Sequence, residues 1–480
     1  MTGVVSGVTS GAVPGVTVAA VRDGAADLPV LPLLTHRGRQ LAHAREVVTG
    51  VDGTPVASLS LAPDLLVAQT LAAQRKALPL PPEERAERLA DAARRFVDET
   101  FGGLTFAEHS ARVAAVSGHN RALIETLGLA VARSIADAPT RADQGRPTGS
   151  ARSWRVAAAG SGQGVWTRRG ETLGAILSGN LPTIQNGWLQ ALALGYRVVV
   201  RPSRREPFTA YRVIEALRAA GFRDLDAAFL PTSRQGVSTI VRRAHLGLMY
   251  GGDDVQSEYG SSPDIKVGGP GRSKTLVGRD HAGPAAVELV ADSVTALSGA
   301  ACVNTTAVLV EGDHAAFARD LAAVLADRTR GRQTGDEHVG PRFPVDSARA
   351  LVDHLRHAAA RAHAVIPWDD VATPHPDGGV VLGPAVFTVA DPRDGLLGKE
   401  LPFPCVWVAP WQRSDGAEPL RNSLVVNAIT DDDELVEALL RDPTVQNVHV
   451  GAPTVHSDGN LPHEGYLGDF LMRSKAVVST

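Results

Sequence analysis

Lysine is almost missing from this 480-residue chain, which has five (Lys76, Lys266, Lys274, Lys399 and Lys475) among 48 basic residues. The arginine bias is compositional, so an arginine carries functional weight only inside a motif. Cysteine is rarer still: only Cys302 and Cys405 occur, which excludes a disulfide framework and fits a reducing compartment. No apolar run reaches the length of a membrane span, and the N-terminus lacks a basic region followed by an apolar one, so a cytoplasmic protein without a membrane partner is expected. The net charge of -4 gives no global basic field and excludes nucleic acid as the implied partner. No group of histidine, cysteine and carboxylate has ligand spacing, so no metal is expected. Small molecules remain as partners.

What is present reads as two or three globular domains. Residues 1–20 are a Gly/Val/Ser/Thr run without pattern, read as a frayed end. From 63 to 102 the pattern is helical: Pro81, Pro82, Glu83 and Glu84 form a helix start, and Leu89, Ala92, Ala93 and Phe96 recur at helical spacing. Another helical stretch covers 106–136, and a polar segment, 137–153, follows it. Gly160, Gly162 and Gly164 have the look of a phosphate loop. A phosphate loop needs a helix after it, however, and Val165, Trp166 and Thr167 read as a strand, so these glycines are assigned to a hairpin turn.

After Gly170 strands and helices alternate, the signature of a doubly wound α/β domain: strand 172–177, a turn with Pro182 at the first helical position, a helix to about 194, strand 196–201, helix 207–220, strand 228–230, helix 237–244 and strand 246–250. Ligands of such sheets bind at the carboxyl ends of the strands, so 178–180, 201–205 and 251–254 are expected to share one crevice. None of these turns has the G-x-G-x-x-G sequence. A second α/β unit follows, with a helix from 283 to 298, a cysteine turn, strand 305–310, helix 314–327 and further signals to about 450. The expected division is 1–285 for the helical region and dinucleotide domain, with a hairpin extension at about 138–170; 286–450 for a catalytic domain; and 451–480 for a segment returning to the first domain.

Cys302 lies between small residues, Gly299, Ala300 and Ala301, and a strand-like run. That setting leaves room for a carbonyl to approach a thiolate nucleophile; a small buried hydrophobe is the other reading of a free cysteine. Cys405, inside an apolar strand, is the rival, and burial there raises a thiol's pKa and silences it. His245, His281, His449 and His463 are candidates for proton transfer that spacing does not separate.

Taken in order over roughly residues 80–475, the motifs resemble the aldehyde dehydrogenase superfamily. Leu177, Ser178, Gly179, Asn180, Leu181 and Pro182 look like its turn with an asparagine before a proline. Residues 195–203, ending in Arg201, Pro202 and Ser203, look like its strand ending in a basic residue, a proline and a small residue. Tyr250, Gly251 and Gly252 resemble its glycine turn, Cys302 falls at its nucleophile, and Glu400, Leu401, Pro402, Phe403 and Pro404 resemble the glutamate segment that holds the nicotinamide ribose. Pro462, His463, Glu464, Gly465 and Lys475 look like remains of its C-terminal signature. The resemblance implies two doubly wound α/β domains, one for the cofactor and one for catalysis, with an oligomerisation extension. It also implies a homodimer or homotetramer in which 138–170 and the C-terminal strand form inter-subunit sheet, and a dinucleotide site built from Leu177, Ser178, Gly179, Arg201, Ser203, Arg204, Gly251, Gly252, Val255, Gly269, Glu400 and Pro402.

The departures point within the family. Where aldehyde-oxidising members place a general-base glutamate ahead of a Gly-Gly-Lys-type turn, this chain reads Val267, Gly268, Gly269, Pro270, Gly271, Arg272, Ser273. Hydrolysis of a thioacyl-enzyme needs a base for water, whereas exchange with a thiol does not, so the pattern looks like the acylating branch that includes the bacterial fatty acyl reductases of bioluminescence. Glu258 stays open as a displaced base. The expected activity is NADPH-dependent reduction of an acyl thioester, from CoA or a carrier protein, through a thioacyl-enzyme on Cys302, with Asn180 and the Cys302 N–H as oxyanion donors. For Asn180 a turn role and for Glu400 an exposed loop role are the alternatives. Where NAD-preferring relatives have a glutamate three positions after the strand's basic residue, this chain has Arg204, a donor fork suited to a 2′-phosphate; arginine bias is the other reading. Aldehyde oxidation with another base, or a non-catalytic relative that binds a partner enzyme, are the competing functions.

Overall fold

Carboxylates belong at a helix N-terminus because its first N–H groups are unpaired. Pro82–Asp98 accordingly starts on its proline with Glu83 and Glu84 in the first turn, and buries Leu89, Ala92, Ala93 and Phe96 along one stripe. The computed structural model, which describes residues 28–158 and 163–478, divides the expected 106–136 helix in two. Phe106–Ser117 opens with a reciprocal capping box between Thr105 and Glu108 and closes at Gly118, whose φ of 80° is the left-handed conformation that terminates helices. Arg121–Asp143 restarts on Asn120, whose side chain accepts from Leu123 N, and runs on through Pro139. The polar segment expected from 137 therefore begins inside a helix. The first 20 residues and most of the 160–164 glycine turn lie outside the described residues.

Two seven-stranded sheets form the core. The first runs in the spatial order Ile265–Gly268, Leu246–Tyr250, Thr172–Ile176, Arg197–Arg201, Ala227–Phe229, Leu33–Thr35, Gly38–Gln40, and its first five strands are parallel. The last two form an antiparallel hairpin on its edge. Residues 28–62, for which the sequence pattern suggests no element, also supply a three-stranded sheet of Val30–Leu31, Pro55–Ser60 and Arg45–Thr49. The second large sheet runs His363–Ala364, Ala385–Thr388, Cys405–Trp411, Thr305–Glu311, Ser273–Val277, Ser423–Ile429, Val445–Val450, all parallel apart from its first strand. Such strands are buried on both faces and read as continuous apolar runs: Val198, Val199 and Val200 in one sheet, and Val406, Trp407, Val408 and Ala409 in the other, are sealed from solvent. The expected α/β architecture of two sheet domains is what the chain adopts.

Two boundaries differ from expectation. Ser273–Val277 pairs with Thr305–Glu311 and Ser423–Ile429, so the chain passes between the sheets at 269–272 and not at 285. The short strand just after the glycine turn, Ser-Lys-Thr-Leu-Val, has no apolar run to mark it and reads equally well as part of either unit, which is why periodicity misplaced it. The 138–170 extension forms no hairpin of its own among the described residues; Gln163–Arg168 pairs antiparallel with Met472–Val477 instead.

Gly118 ties the helical region to the catalytic half. Arg342 N donates to its carbonyl at 2.7 Å, and a Cβ there would overlap the Arg342 carbonyl. Gly118→Ala is expected to destabilise the fold by about 2 kcal/mol or more, from the left-handed backbone and the overlap together, measured as a lowered thermal unfolding midpoint.

Candidate active site

Cys302 is held by the turn before it. Leu297 and Ser298 adopt left-handed backbone at φ 54° and 57°, a conformation that costs energy for non-glycine residues and persists only where the surroundings impose it. Asn304, which is buried, supplies that imposition: its Oδ1 accepts from Ala301 N at 2.8 Å and its Nδ2 donates to Ser293 O and Ala296 O at 2.9 and 2.8 Å. The Cys302 carbonyl accepts from Ser273 Oγ at 2.9 Å. The half-buried thiol sits 3.5 Å from His463 Nε2. Burial, with the carboxylates of Glu400 and Glu464 adding to it, pushes the thiol up to about 12. The resting sulfur is therefore protonated and needs a base, and His463 is the group placed to serve. His463 is exposed on its outer side; desolvation of the ring, and then Lys266, lower the imidazole's pKa below its ordinary 6.5, so it is a neutral acceptor at physiological pH. His463 was one of four undistinguished candidates in the sequence; of the other three, His245 bonds Thr172, His281 pairs with Asp431 and His449 bonds the Pro453 carbonyl. Cys405 is fully buried, with its thiol raised by burial alone.

Asn180 reaches the same turn. Its Nδ2 donates to Ala300 O at 3.1 Å, its Oδ1 accepts from Ser178 Oγ at 2.6 Å, and its own carbonyl accepts from His119 Nε2 at 2.7 Å. One amide hydrogen of Asn180 thus remains for a substrate oxygen. His119, which no sequence signal singled out, is buried and pulled down to about 4 by that burial.

The remaining expected residues line the carboxyl edge of the first sheet. Thr172–Ile176 lies between two parallel neighbours, Leu246–Tyr250 and Arg197–Arg201, so the turns that follow all three leave on the same side. Leu177 N donates to Arg201 O at 3.0 Å, and a Cβ on Gly179 would run into the Ser203 side chain. Gly251 N donates to Gly268 O at 3.2 Å, Val255 covers Gly251, and Gly252 precedes the Asp253–Tyr259 helix. Gly269 faces Gln256. Glu400 is not an exposed loop residue: its Oε2 accepts from Arg272 N at 2.9 Å, and burial raises its carboxyl. Pro402 beside it is exposed. Arg201 Nε is buried without a partner, the kind of orphan donor that a bound phosphate satisfies. With close-packed glycine at 179 and a carboxylate at 400, these residues fit a dinucleotide. Arg204, however, is already paired with Glu46, 3.1 Å away.

The family's sequence model for aldehyde dehydrogenases matches residues 39–468. The chain belongs to the aldehyde dehydrogenase family. A 2-hydroxymuconic semialdehyde dehydrogenase from Pseudomonas putida is 25% identical over 284 residues, 52% of this chain and 55% of that protein, so the chain spans about half the length of this curated relative. Among solved structures, the NAD-dependent aldehyde dehydrogenase of Sinorhizobium meliloti superimposes with a TM-score of 0.78 at 17% identity, covering 94% of each chain. The P. syringae indole-3-acetaldehyde dehydrogenase, solved as a mutant with NAD+, does so at 0.79 and 16% identity, covering 94% of this chain and 97% of that one. Those likenesses carry the fold. An aldehyde dehydrogenase with this cysteine environment departs from the oxidising pattern at position 268. A Cβ on Gly268 would lie 2.7 Å from Tyr250 Cδ1, so the tyrosine ring occupies the space a side chain there would need. Glu258 is exposed on the Asp253–Tyr259 helix.

Cys302→Ala is expected to abolish turnover and leave dinucleotide affinity nearly unchanged, while Cys405→Ala is mild. Iodoacetamide labelling followed by mass spectrometry should find Cys302 alkylated and Cys405 spared in the folded protein. If His463 is the base, His463→Gln lowers the neutral-pH activity at least about tenfold. In the wild type, activity falls on acidification as the imidazole takes up a proton, below the ordinary histidine range, because its pKa is depressed.

Proposed function

We propose that this aldehyde dehydrogenase relative reduces an acyl thioester to an aldehyde with NADPH, through a thioacyl-enzyme on Cys302. The observation that carries the reading is position 268, where a glycine faces the Tyr250 ring and no general base for water can be built. His463 accepts the Cys302 proton, and the thiolate attacks the thioester carbonyl. Oxyanion charge is met by the Asn180 amide and the Cys302 N–H, each such donor being worth roughly 3 kcal/mol in acyl transfer. Collapse expels the carrier thiol, which takes a proton from His463, and leaves the acyl group on Cys302. NADPH, when bound, supplies the hydride that takes this acyl group to the aldehyde level. The Cys302–carbon bond then breaks to release the aldehyde and a thiolate, which takes up one proton from solvent to restore the resting thiol. Leu177, Ser178, Gly179, Arg201, Ser203 and Arg204 would hold the adenosine half, and Glu400 would hold the nicotinamide ribose.

Glu464 supports a second reading. Its half-buried carboxyl is raised by desolvation, is close enough to lift the Cys302 thiol, and lies 3.9 Å from Lys266 Nζ. A carboxylate so placed could serve as the base for water, and the reaction would then be aldehyde oxidation, the chemistry named for the P. putida relative.

Purified protein with NADPH and a panel of acyl-CoAs is expected to consume NADPH and release free thiol, whereas NADP+ with aldehyde and no added thiol should give little turnover. The reverse result would establish oxidation, and Glu464→Gln would then be the variant that removes it.

The edge strands support assembly. Gln163–Arg168 and Met472–Val477 form a two-stranded sheet whose outer edges, apart from a single bridge between Ala151 and Val165, are not paired with another strand among the described residues, and such edges are usually covered. A homodimer or larger is proposed. Sedimentation at micromolar concentration should show it, and monomer alone would count against it.

A further inference from the structure

Arg204, the residue expected to meet a 2′-phosphate, faces a carboxylate that comes from 158 positions away in the chain. Glu46, on the strand Arg45–Thr49, has both oxygens on one guanidinium nitrogen, at 3.1 and 3.4 Å, and is the better shielded of the two, with 18% side-chain exposure against 41%. Arg201 lies in the same field, since both Glu46 and Arg204 act on its charge, and its Nε has no partner. Arg205 does not compete for a ligand. Its guanidinium donates to the carbonyls of Val116 and Ser117 and lies over the Phe343 ring. The charge available at the end of the Arg197–Arg201 strand is therefore two guanidinium groups and one carboxylate.

We propose that Glu46 is a specificity-determining residue for the dinucleotide, holding Arg204 and competing with the 2′-phosphate of NADPH for it. The proposal rests on the reading that the adenosine end binds beside Arg201, Ser203 and Arg204. A half-exposed ion pair is weak, and a phosphate offers more charge and more acceptor oxygens than a carboxylate, so NADPH can displace Glu46 from Arg204. The displaced carboxylate then stays beside a dianion and repels it. NADH brings no phosphate and leaves the pair intact. Discrimination between the two dinucleotides is thus set by the Glu46–Arg204 pair, and Arg204 alone would overstate the preference for NADPH.

The test is equilibrium binding, by calorimetry or tryptophan fluorescence, of NADPH and NADH to the full chain and to Glu46→Gln, Glu46→Asp, Arg204→Gln and the Glu46→Gln/Arg204→Gln double variant. Glu46→Gln should lower the NADPH Kd roughly two- to fivefold, the range an exposed ion pair allows, and leave NADH within about twofold. Glu46→Asp keeps the charge and should stay close to wild type, and the Glu46→Gln effect should vanish on the Arg204→Gln background. Unaltered melting temperatures separate these effects from misfolding. If Arg204→Gln weakens NADPH but Glu46→Gln changes nothing, the role of Glu46 is overturned and the adenosine site stands. If neither substitution alters either dinucleotide while both still bind, the adenosine end lies elsewhere and the proposal falls with that reading.

Discussion

The site depends on one close approach, the backbone of Gly271 against the carbonyl of Cys302. A Cβ at 271 would overlap that carbonyl, so only glycine lets the inter-sheet crossing lie flat on the nucleophile's turn. The two residues that follow use the proximity. Arg272, forced to φ 50°, turns its N–H onto Glu400, and Ser273 Oγ donates to the Cys302 carbonyl. On the other side Leu424 N donates to the Gly271 carbonyl at 2.7 Å. The Cys302 turn, the glutamate segment and the Ser423–Ile429 strand are thereby held to one crossing, each through a contact with a backbone atom. A side chain at 271 would separate all three.

Within that frame the electrostatics keep the sulfur quiet until it is used. Two carboxylates, Glu400 and Glu464, and low solvent access all favour the neutral thiol, and a neutral thiol is slow to oxidise. The backbone N–H groups of Cys302 and Val303 oppose them, the His463 imidazole lies 3.5 Å from the sulfur, and the Lys266 ammonium donates to the Glu464 carbonyl at 2.8 Å. On the proposed mechanism, activation is a local proton transfer to His463, with no standing thiolate. This differs from sites in which a helix N-terminus or fixed cation depresses the thiol's pKa at rest.

Much of this was legible in the residues because the informative features were local. The apolar runs at 172–176, 197–201 and 246–250, and the turns after them, fixed the first sheet and its ligand edge, and the small residues around Cys302 distinguished it from Cys405 inside its strand. What escaped the sequence is long range. Glu46 and Arg204 meet from 158 positions apart, and His119 meets Asn180 from a helix junction; neither pairing leaves a periodic trace. The strands at 30–60 escaped because they are short: they pair mostly with one another, with Leu34 opposite Phe229 as the tie to the first sheet, and Ser273–Val277 joins the second sheet by a crossing that its composition does not announce. His463 was visible as a residue, but only its 3.5 Å approach to the sulfur separates it from the other histidines.

The asparagine shows how such long-range contacts become chemistry. A carbonyl accepts and never donates, so the 2.7 Å contact between Asn180 O and His119 Nε2 requires the hydrogen on Nε2, leaving Nδ1 bare, buried and without a partner. Leaving that acceptor unsatisfied costs stability, and it persists because the imidazole pins the Asn180 backbone while Ser178 and Ala300 pin its side chain. All degrees of freedom of the amide are then fixed before substrate arrives, which is what a donor aimed at developing negative charge requires. Burial pulls His119 down to about 4, below the ordinary unfolded value near 6.5. The neutral ring therefore favours the fold above that unfolded value, and its contribution is lost as pH falls toward the folded one. Through the neutral range the ring does not take a second proton, so the orientation of the Asn180 amide does not titrate in the range where the proposed mechanism uses His463.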